Sequence, residues 1–418
     1  MKRDDAMKKT KFLLVVLLLV LPACEDYVNN VDPFIDRVVD AGLNSPTQIP
    51  ILKVGITNQA YQSLDYVLLM ADGLSDALIW DQKLAGATYT GFRQLEETIP
   101  TDLTSETNGS YYDVQQTRLM ADDLIDRAGK VALSDQVKND ALYTAYLWGG
   151  YSRYLLGTYW GKDENTGGAT INVSKFMPTS VLYADAINRY KEALKYTTNA
   201  LNIKIVNSLI ARCYFFLNDY TNAVTYLNLG LAKGDVPFLA TYIQVPSGAD
   251  NAYRAQASDE LRIQWRVDDR FKEYTTAEAT EVGRIKLRNY RATTLLEQRM
   301  YIGTGTTSTP IPLIDWQEVA LMKAELVVGG KMAGDALALI NDVRTSHSVK
   351  VLPAGTTIVL KSAVAGQASI SDERDKELFL RGLRLIDQRR FNTFHVSYGW
   401  KYFPTPLVEK IKNPNWDK

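Results

Sequence analysis

The sequence predicts a mainly α fold: a scaffold of stacked helical pairs with long irregular loops and little β structure. Three segments carry that expectation. Residues 203–233 read as helix, turn, helix; residues 318–344 do the same; and a third pair, residues 139–156 and 183–195, is interrupted by a loop over 157–180.

In the first pair, Ile210, Ala211, Tyr214 and Leu217 share one helical face, Asn218-Asp219-Tyr220 turns the chain, and Ala223, Tyr226, Leu227, Gly230 and Leu231 return on another. Ala211 and Ala223 are small enough for the two axes to approach, and Tyr214 and Tyr220 fill the space beside them. The pattern resembles the tetratricopeptide repeat, whose period is ~34 residues. In the second pair Gly329-Gly330 is the break, with Ala324, Ala336, Ile340 and Val343 at packing positions. In the third, Tyr143, Tyr146, Trp148, Tyr151 and Tyr154 recur at helical spacing and are expected between repeats, in the core. Such pairs cannot bury their faces singly, so they must stack.

Two regions have a different character. Residues near 74–112 mix Trp80, Tyr89, Phe92, Tyr111 and Tyr112 with glycines, Asp81, Gln82, Asn108 and Ser110, without a sustained helical period. Residues near 235–312 place Tyr242, Tyr253, Trp265, Phe271, Tyr274, Tyr290 and Tyr301 among polar residues. Aromatic loops on a rigid scaffold are where a ligand is expected. The candidates are Trp80, Tyr111 and Tyr112, with Trp265 in the alternating run Leu261-Arg262-Ile263-Gln264-Trp265, and Tyr89, Asp81 and Asn108 by proximity.

The first 23 residues have the parts of a lipoprotein signal peptide: Lys8, Lys9 and Lys11, then the apolar run from Phe12 to Leu21. That run is about half of the ~20 residues that span a bilayer. Leu21-Pro22-Ala23-Cys24 resembles the bacterial lipobox, which implies cleavage before Cys24 and its acylation with fatty chains such as palmitate. Buried acyl chains hold a protein on a membrane at ~0.8 kcal/mol per methylene. The acidic Glu25-Asp26 that follows is similar to the signal that sends some lipoproteins to the outer face of the outer membrane.

Residues 24–418 are then expected to form a single domain, since no linker rich in Pro, Gly or Ser divides them. The 47 Lys plus Arg against 48 Asp plus Glu leave no basic excess for nucleic acid. Cys213, within an apolar helical run, is the one other cysteine and is expected to be buried. The only two histidines, His347 and His395, sit in no metal-ligand spacing and are expected at the surface or as caps. No phosphate loop, GxSxG or GxGxxG is present in the required context. No cofactor, no metal and no catalytic residue is predicted.

The C-terminal third carries a resemblance. Ser371-Asp372-Glu373-Arg374-Asp375-Lys376-Glu377-Leu378-Phe379-Leu380-Arg381-Gly382-Leu383-Arg384, with Asp387-Gln388-Arg389-Arg390-Phe391 after it, resembles the late signature of the SusD/RagB family. The block Pro312-Leu313-Ile314-Asp315-Trp316 through Glu325, followed by residues 336–344, is similar to another family block, with Asp315 where the family commonly has Arg. Tyr402-Phe403-Pro404-Thr405-Pro406 and Asn413-Pro414-Asn415 resemble its close, and Asp268-Asp269-Arg270 resembles its Asp-Pro-Arg without the proline. The helical spacing of Glu373, Arg374, Glu377, Arg381 and Arg384 sets opposite charges side by side, expected to staple the last helix to the scaffold.

The resemblance implies a SusD-like scaffold and a surface lipoprotein that captures a nutrient, usually a glycan or oligosaccharide, for a SusC-like TonB-dependent outer membrane transporter. The residues allow this independently, because sugar C–H faces stack on Trp and Tyr while neighbouring polar groups bond hydroxyls. Two alternatives stand beside it. One is a tetratricopeptide-type scaffold binding a peptide or protein partner. The other is a hydrolase using Glu96 and Glu97 or Asp122 and Asp123, whose adjacent side chains point apart on a helix and suit solvent better than one catalytic centre.

Overall fold

Pro50 in the first turn opens helix α1 (Ile49–Leu74), a position where its missing amide hydrogen costs nothing. The structure is a computed structural model and describes residues 40–160, 168–244, 250–361 and 363–416; the leader and Cys24 lie outside the described residues. After α1 come β1 (Leu78–Trp80), α2 (Thr90–Glu96), α3 (Ser105–Lys130), α4 (Asp135–Tyr159), β2 (Gly168–Ala169), β3 (Met177–Pro178), α5 (Thr179–Ala193), α6 (Ala200–Phe216) and α7 (Tyr220–Leu229). The chain continues through β4 (Phe238–Ile243), α8 (Ala252–Gln256), β5 (Trp265–Val267), α9 (Arg270–Ala277), β6 (Leu287–Asn289), β7 (Leu296–Gln298) and β8 (Thr307–Ile314). It closes with α10 (Trp316–Val328), α11 (Ala336–Ser346), β9 (Thr357–Val359), β10 (Gln367–Ser369), α12 (Ile370–Glu377), α13 (Arg384–Phe391) and α14 (Leu407–Lys412).

The expected pairs are α4 with α5, α6 with α7, and α10 with α11. They stack in chain order: α5 lies on α6, and α7 reaches α10. Side-chain caps set the starts, with Ser134, Asn199, Asp219, Asp315 and Asp335 each accepting from an amide two or three residues on. Close approach explains Gly150, where a β-carbon would strike the Tyr190 ring on α5. Trp148 is a core residue as expected; its indole donates to Thr57 Oγ1 at 3.2 Å and meets Tyr61 edge-on at 5.5 Å. Cys213 is fully buried, and burial pushes its thiol up to about 12.

Two helices go beyond the pairs read from the sequence. α1 is buried around nearly all of its second half, from Ser63 onward, so it has no polar face to reveal a period of 3.6. α3 begins at Ser105, inside the stretch read as irregular, so Asn108, Tyr111 and Tyr112 are helical residues. Together α1, α3 and α4 pack against one another, and one continuous core cluster includes residues from Ile49 to Phe403.

The charged C-terminal signature joins distant segments. Charges expected to pair along one helix instead pair across the fold, because α12 ends at Glu377 and the remaining arginines lie beyond it. Glu373 accepts from Arg284 at 2.7 Å and from Arg344 at 2.6 Å, and Glu281 binds the same two guanidinium groups at 2.7 and 3.1 Å. Arg374 pairs with Asp387 at 2.8 Å, and Arg384 with Asp76 at 2.8 Å. Asp315, the departure from the family pattern, both caps α10 and meets Arg381 at 2.5 Å. His347 is the C-terminal cap of α11, with Nε2 2.9 Å from Glu377.

Gly382 shows why the signature needs glycine. Its φ is +70°, and a β-carbon there would meet Leu68. Its amide donates to Asp72 at 3.2 Å, and its carbonyl accepts from the Tyr159 hydroxyl at 3.2 Å. Asp72 also accepts from the Tyr253 hydroxyl at 2.6 Å, yet burial dominates and pushes its carboxyl up to about 7.

Removing Glu373 would leave Arg284 and Arg344 buried with less compensation. Glu373→Ala is expected to lower unfolding free energy by about 3–5 kcal/mol. Lys130→Ala, at an exposed pair with Asp126, should change it by less than about 1 kcal/mol. Urea titration of both variants checks the contrast. Asp72 gives a pH dependence of defined sign. Between its ordinary value of 3.8 and about 7 the folded chain holds a proton that the unfolded chain has released, so this group lowers stability as pH rises through that window. The stability difference between wild type and Asp72→Asn should therefore shift in the variant's favour from pH 4 to pH 8, as read by urea midpoints.

Candidate ligand-binding face

The loop regions are organised by a four-stranded sheet in the order β1, β5, β7, β6, antiparallel throughout, with Trp80 directly opposite Trp265. The Trp265 indole occupies the space above Gly73, where a β-carbon would collide with its ring, and packs on Phe92 at 5.2 Å between ring centroids. α1 and α2 thus seat β5. Just before it, the buried Gln264 side chain accepts from the Thr88 and Tyr89 amides at 2.9 and 3.2 Å and donates to the Gly86 carbonyl. Three bonds from one amide fix the loop over 81–89 against the sheet. Leu84, Ile263 and Tyr290 form a small cluster beneath it, with the Tyr290 hydroxyl accepting from the Ala85 amide at 3.3 Å.

On the outer side of this loop, Arg262 lies over the Tyr89 ring at 4.6 Å from its centroid and donates to the Tyr89 hydroxyl at 3.2 Å and to the Thr88 hydroxyl. Arg262 is exposed and has no carboxylate partner among the described residues. Tyr66 is the one exposed residue between Ser63 and Ser75 on α1, at 39 %. Burial of part of its ring, then the neighbouring Asp65, push its hydroxyl up, and it is near enough to Gln256 and Tyr89 to feel both. Gln256 Oε1 is a buried acceptor without a hydrogen bond. The result is a surface of two tyrosines, a hydroxyl and one guanidinium without a carboxylate partner among the described residues, able to stack on apolar C–H faces and to bond hydroxyl groups.

The sequence candidates divide between places. Trp80, Asp81, Tyr89 and Trp265 belong to this sheet and loop. Tyr111, Tyr112 and Asn108 stand on the first turns of α3, beside the C-terminal segment. Trp265 is fully buried and offers a ligand no surface, because the strand turns its ring inward onto Gly73. Tyr111 is likewise fully buried: its hydroxyl pairs with Thr170 at 3.0 Å, and burial pushes it up to about 12. Asn108 donates to the Asp102 carbonyl at 3.0 Å and holds the turn before α3. Asp81 accepts from the Lys83 amide at 2.9 Å and pairs with Arg266 at 3.3 Å, so its carboxylate serves the loop. Trp80 is half-buried against the core. Tyr112 keeps 40 % exposure, with its ring edge-on to Tyr111 at 5.8 Å.

Tyr66 and Arg262 were not singled out by sequence reasoning. An aromatic in a helical stretch whose other residues, from Ser63 to Leu74, are all buried is legible only once those neighbours are placed. Arg262 lies in the run already noted for Trp265, just before β5, and is exposed where Ile263, Gln264 and Trp265 after it are buried. Of the carboxylate pairs named for hydrolysis, Asp122 pairs with Arg118, Arg153 and Arg189 and Asp123 with Arg127, while Glu97 is exposed, 4.0 Å from Arg93. Both Asp122 and Asp123 keep partial solvent exposure, Asp123 at 42 %, with arginine partners beside them. No group of three or more His, Cys, Asp or Glu residues able to hold a metal occurs among the described residues.

No family model matches the sequence, and no curated protein matches it. Solved structures do. The fold is similar to a SusD superfamily protein from Bacteroides thetaiotaomicron at 16 % identity and a TM-score of 0.69, covering 89 % of this chain and 99 % of that one. Surface glycan-binding protein A from the same organism, in complex with laminarihexaose, matches at 15 % identity and 0.67, over 89 % and 98 %. A SusD-like carbohydrate binding protein from Bacteroides vulgatus matches at 17 % and 0.63, over 81 % and 83 %. The chain has the SusD-like fold.

Proposed function

We propose that the protein is a cell-surface lipoprotein that binds a glycan, without turning it over, and hands it to a TonB-dependent outer membrane transporter of the SusC type. The observation that carries the binding step is the Tyr66, Tyr89 and Arg262 face: aromatic surface beside an exposed guanidinium with no carboxylate partner among the described residues. The similar proteins of this fold described as binding carbohydrate, one with laminarihexaose bound, support the ligand class. The lipobox-like Leu21-Pro22-Ala23-Cys24 supports the anchor and the outer-membrane location. The transporter partner rests on the SusD/RagB resemblance of the C-terminal signature.

Sugar stacking on Tyr66 and hydroxyl bonding by Arg262 make distinct contributions. Calorimetry against neutral oligosaccharides should show saturable binding that weakens about tenfold or more in Tyr66→Ala and in Arg262→Ala, equivalent to ~1.4 kcal/mol each, with the circular-dichroism melt unchanged. Binding of peptides alone would favour the scaffold reading. For the anchor, Cys24→Ser is expected to move the protein from the membrane to the soluble fraction, and the wild-type mature N-terminus to carry acyl mass by mass spectrometry. A wild-type protein that begins elsewhere and carries no lipid would remove the anchor.

A further inference from the structure

A groove of about 800 Å³ opens between the N-terminal turns of α4 and the short link from α5 into α6. Its size is that of a small-ligand site, and none of the sequence candidates lies in it. Tyr143 and Tyr196 supply its aromatic surface, and Gln136, Asn139 and Thr198 its exposed amides and hydroxyl. Tyr196 is stacked parallel on Tyr146 at 5.6 Å, with 2° between the planes, which fixes its ring. Tyr143 is half-buried, and its hydroxyl has no hydrogen-bond partner among the described residues; burial alone pushes it up.

The groove's charges cancel locally. Asp140 is paired with Lys53 of α1, and Lys195 with Glu192 at 2.6 Å. An anionic polymer therefore meets no free cation there. Val137 is the only aliphatic side chain in the lining, so the groove lacks the row of apolar pockets that a docked helix or peptide uses. Rings, amides and hydroxyls around a neutral channel suit a chain of hydroxyl-bearing rings with apolar C–H faces.

We propose that this groove is a second carbohydrate subsite, taking a neutral oligosaccharide, separate from the face around Arg262. It rests on the proposed glycan reading for its ligand class. The two are far apart on the fold: Lys53, at the groove's rim, and Gly73, beneath the sheet, are 20 residues apart on α1, or roughly 30 Å at ~1.5 Å per residue.

Hydrogen exchange on the full chain, with a panel of neutral oligosaccharides, an acidic oligosaccharide and a peptide digest, separates the possibilities. The expected result is that a neutral oligosaccharide slows exchange at residues 135–143 and 195–202 as well as at 84–89. At ten times the dissociation constant the slowing should be roughly tenfold. Asn139→Arg with Thr198→Arg, two exposed positions, should remove protection in the groove alone, and Arg262→Ala should cut it in the loop alone, to about twofold or less. Protection confined to the loop would overturn the second subsite and leave the proposed function standing. Groove protection by the peptide digest or the acidic oligosaccharide, and not by neutral sugars, would also overturn it. Protection at neither place would overturn both readings.

Discussion

The fold depends on charges that are buried and therefore must be paired across the chain. Arg284, Arg344, Glu281, Glu373 and Glu377 have almost no solvent exposure, and an ion removed from water is tolerated only beside a partner of opposite sign. The five come from three segments: Glu281 and Arg284 from the turn after α9, Arg344 from α11, Glu373 and Glu377 from α12. Arg212 on α6 and Glu318 on α10 repeat the arrangement at 2.6 Å between two helical pairs. Misplacing any one segment would leave several charges uncompensated, so the network selects the stacking as well as holding it. Burial raises Asp315 and Asp387, but their arginine partners outweigh it and leave both carboxyls below their ordinary value.

The same network positions the sheet and loop of the candidate face. Asp76 stands just before β1, and Arg270 just after β5. Arg270 meets Asp76 and Asp375 at 2.9 Å each and donates to the Asp76 carbonyl, while Arg384 also grips Asp76. Burial would raise the Asp76 carboxyl, yet the two guanidinium groups draw it down to about 2. Thus the base of the sheet is clamped to α12 and to the chain beyond it, and the loop carrying Thr88 and Tyr89 is tied to that sheet by Gln264. A signature that reads as structure in the sequence thus reaches the candidate face at a distance, by fixing where Arg262 and Tyr89 stand.

The helical pairs were legible because each had one polar face and a turn of Asn, Asp or Gly, and the boundaries from periodicity fall within a few residues of α4 to α7, α10 and α11. α1 was not legible, since burial on nearly all sides of its second half erases the period there. The start of α3 was hidden by Asn108, Gly109 and Ser110, residues that favour turns in isolation and here accept a helix because Tyr111, Val114 and Ala121 bury one side of it. For the candidate site, the two regions named from composition contain Tyr89 and Arg262 but not Tyr66, and several of the rings singled out in them are buried. Trp265 and Tyr111 stand among polar residues in sequence, yet Gly73 and Thr170, far away along the chain, receive them in the core. An aromatic's exposure is decided by such distant partners, which local sequence does not contain.

Placing so much charge inside has a consequence outside. Arginines and carboxylates are consumed by internal pairs, the whole chain carries a net charge of only −1, and the face around Tyr66 and the groove around Tyr143 are built from rings, amides and hydroxyls with few free ions. Recognition at such surfaces relies on contact and short hydrogen bonds, which salt screens little, whereas long-range attraction of charged ligands falls away within about 8–10 Å at physiological ionic strength. Neutral chains gain from that arrangement and polyanions do not. Arg262 is the informative exception: an exposed guanidinium held over Tyr89 by two hydroxyl groups rather than a carboxylate keeps donors available. It can meet a sugar oxygen without first breaking an ion pair, so the strongest donor on the face is also the least costly to redirect.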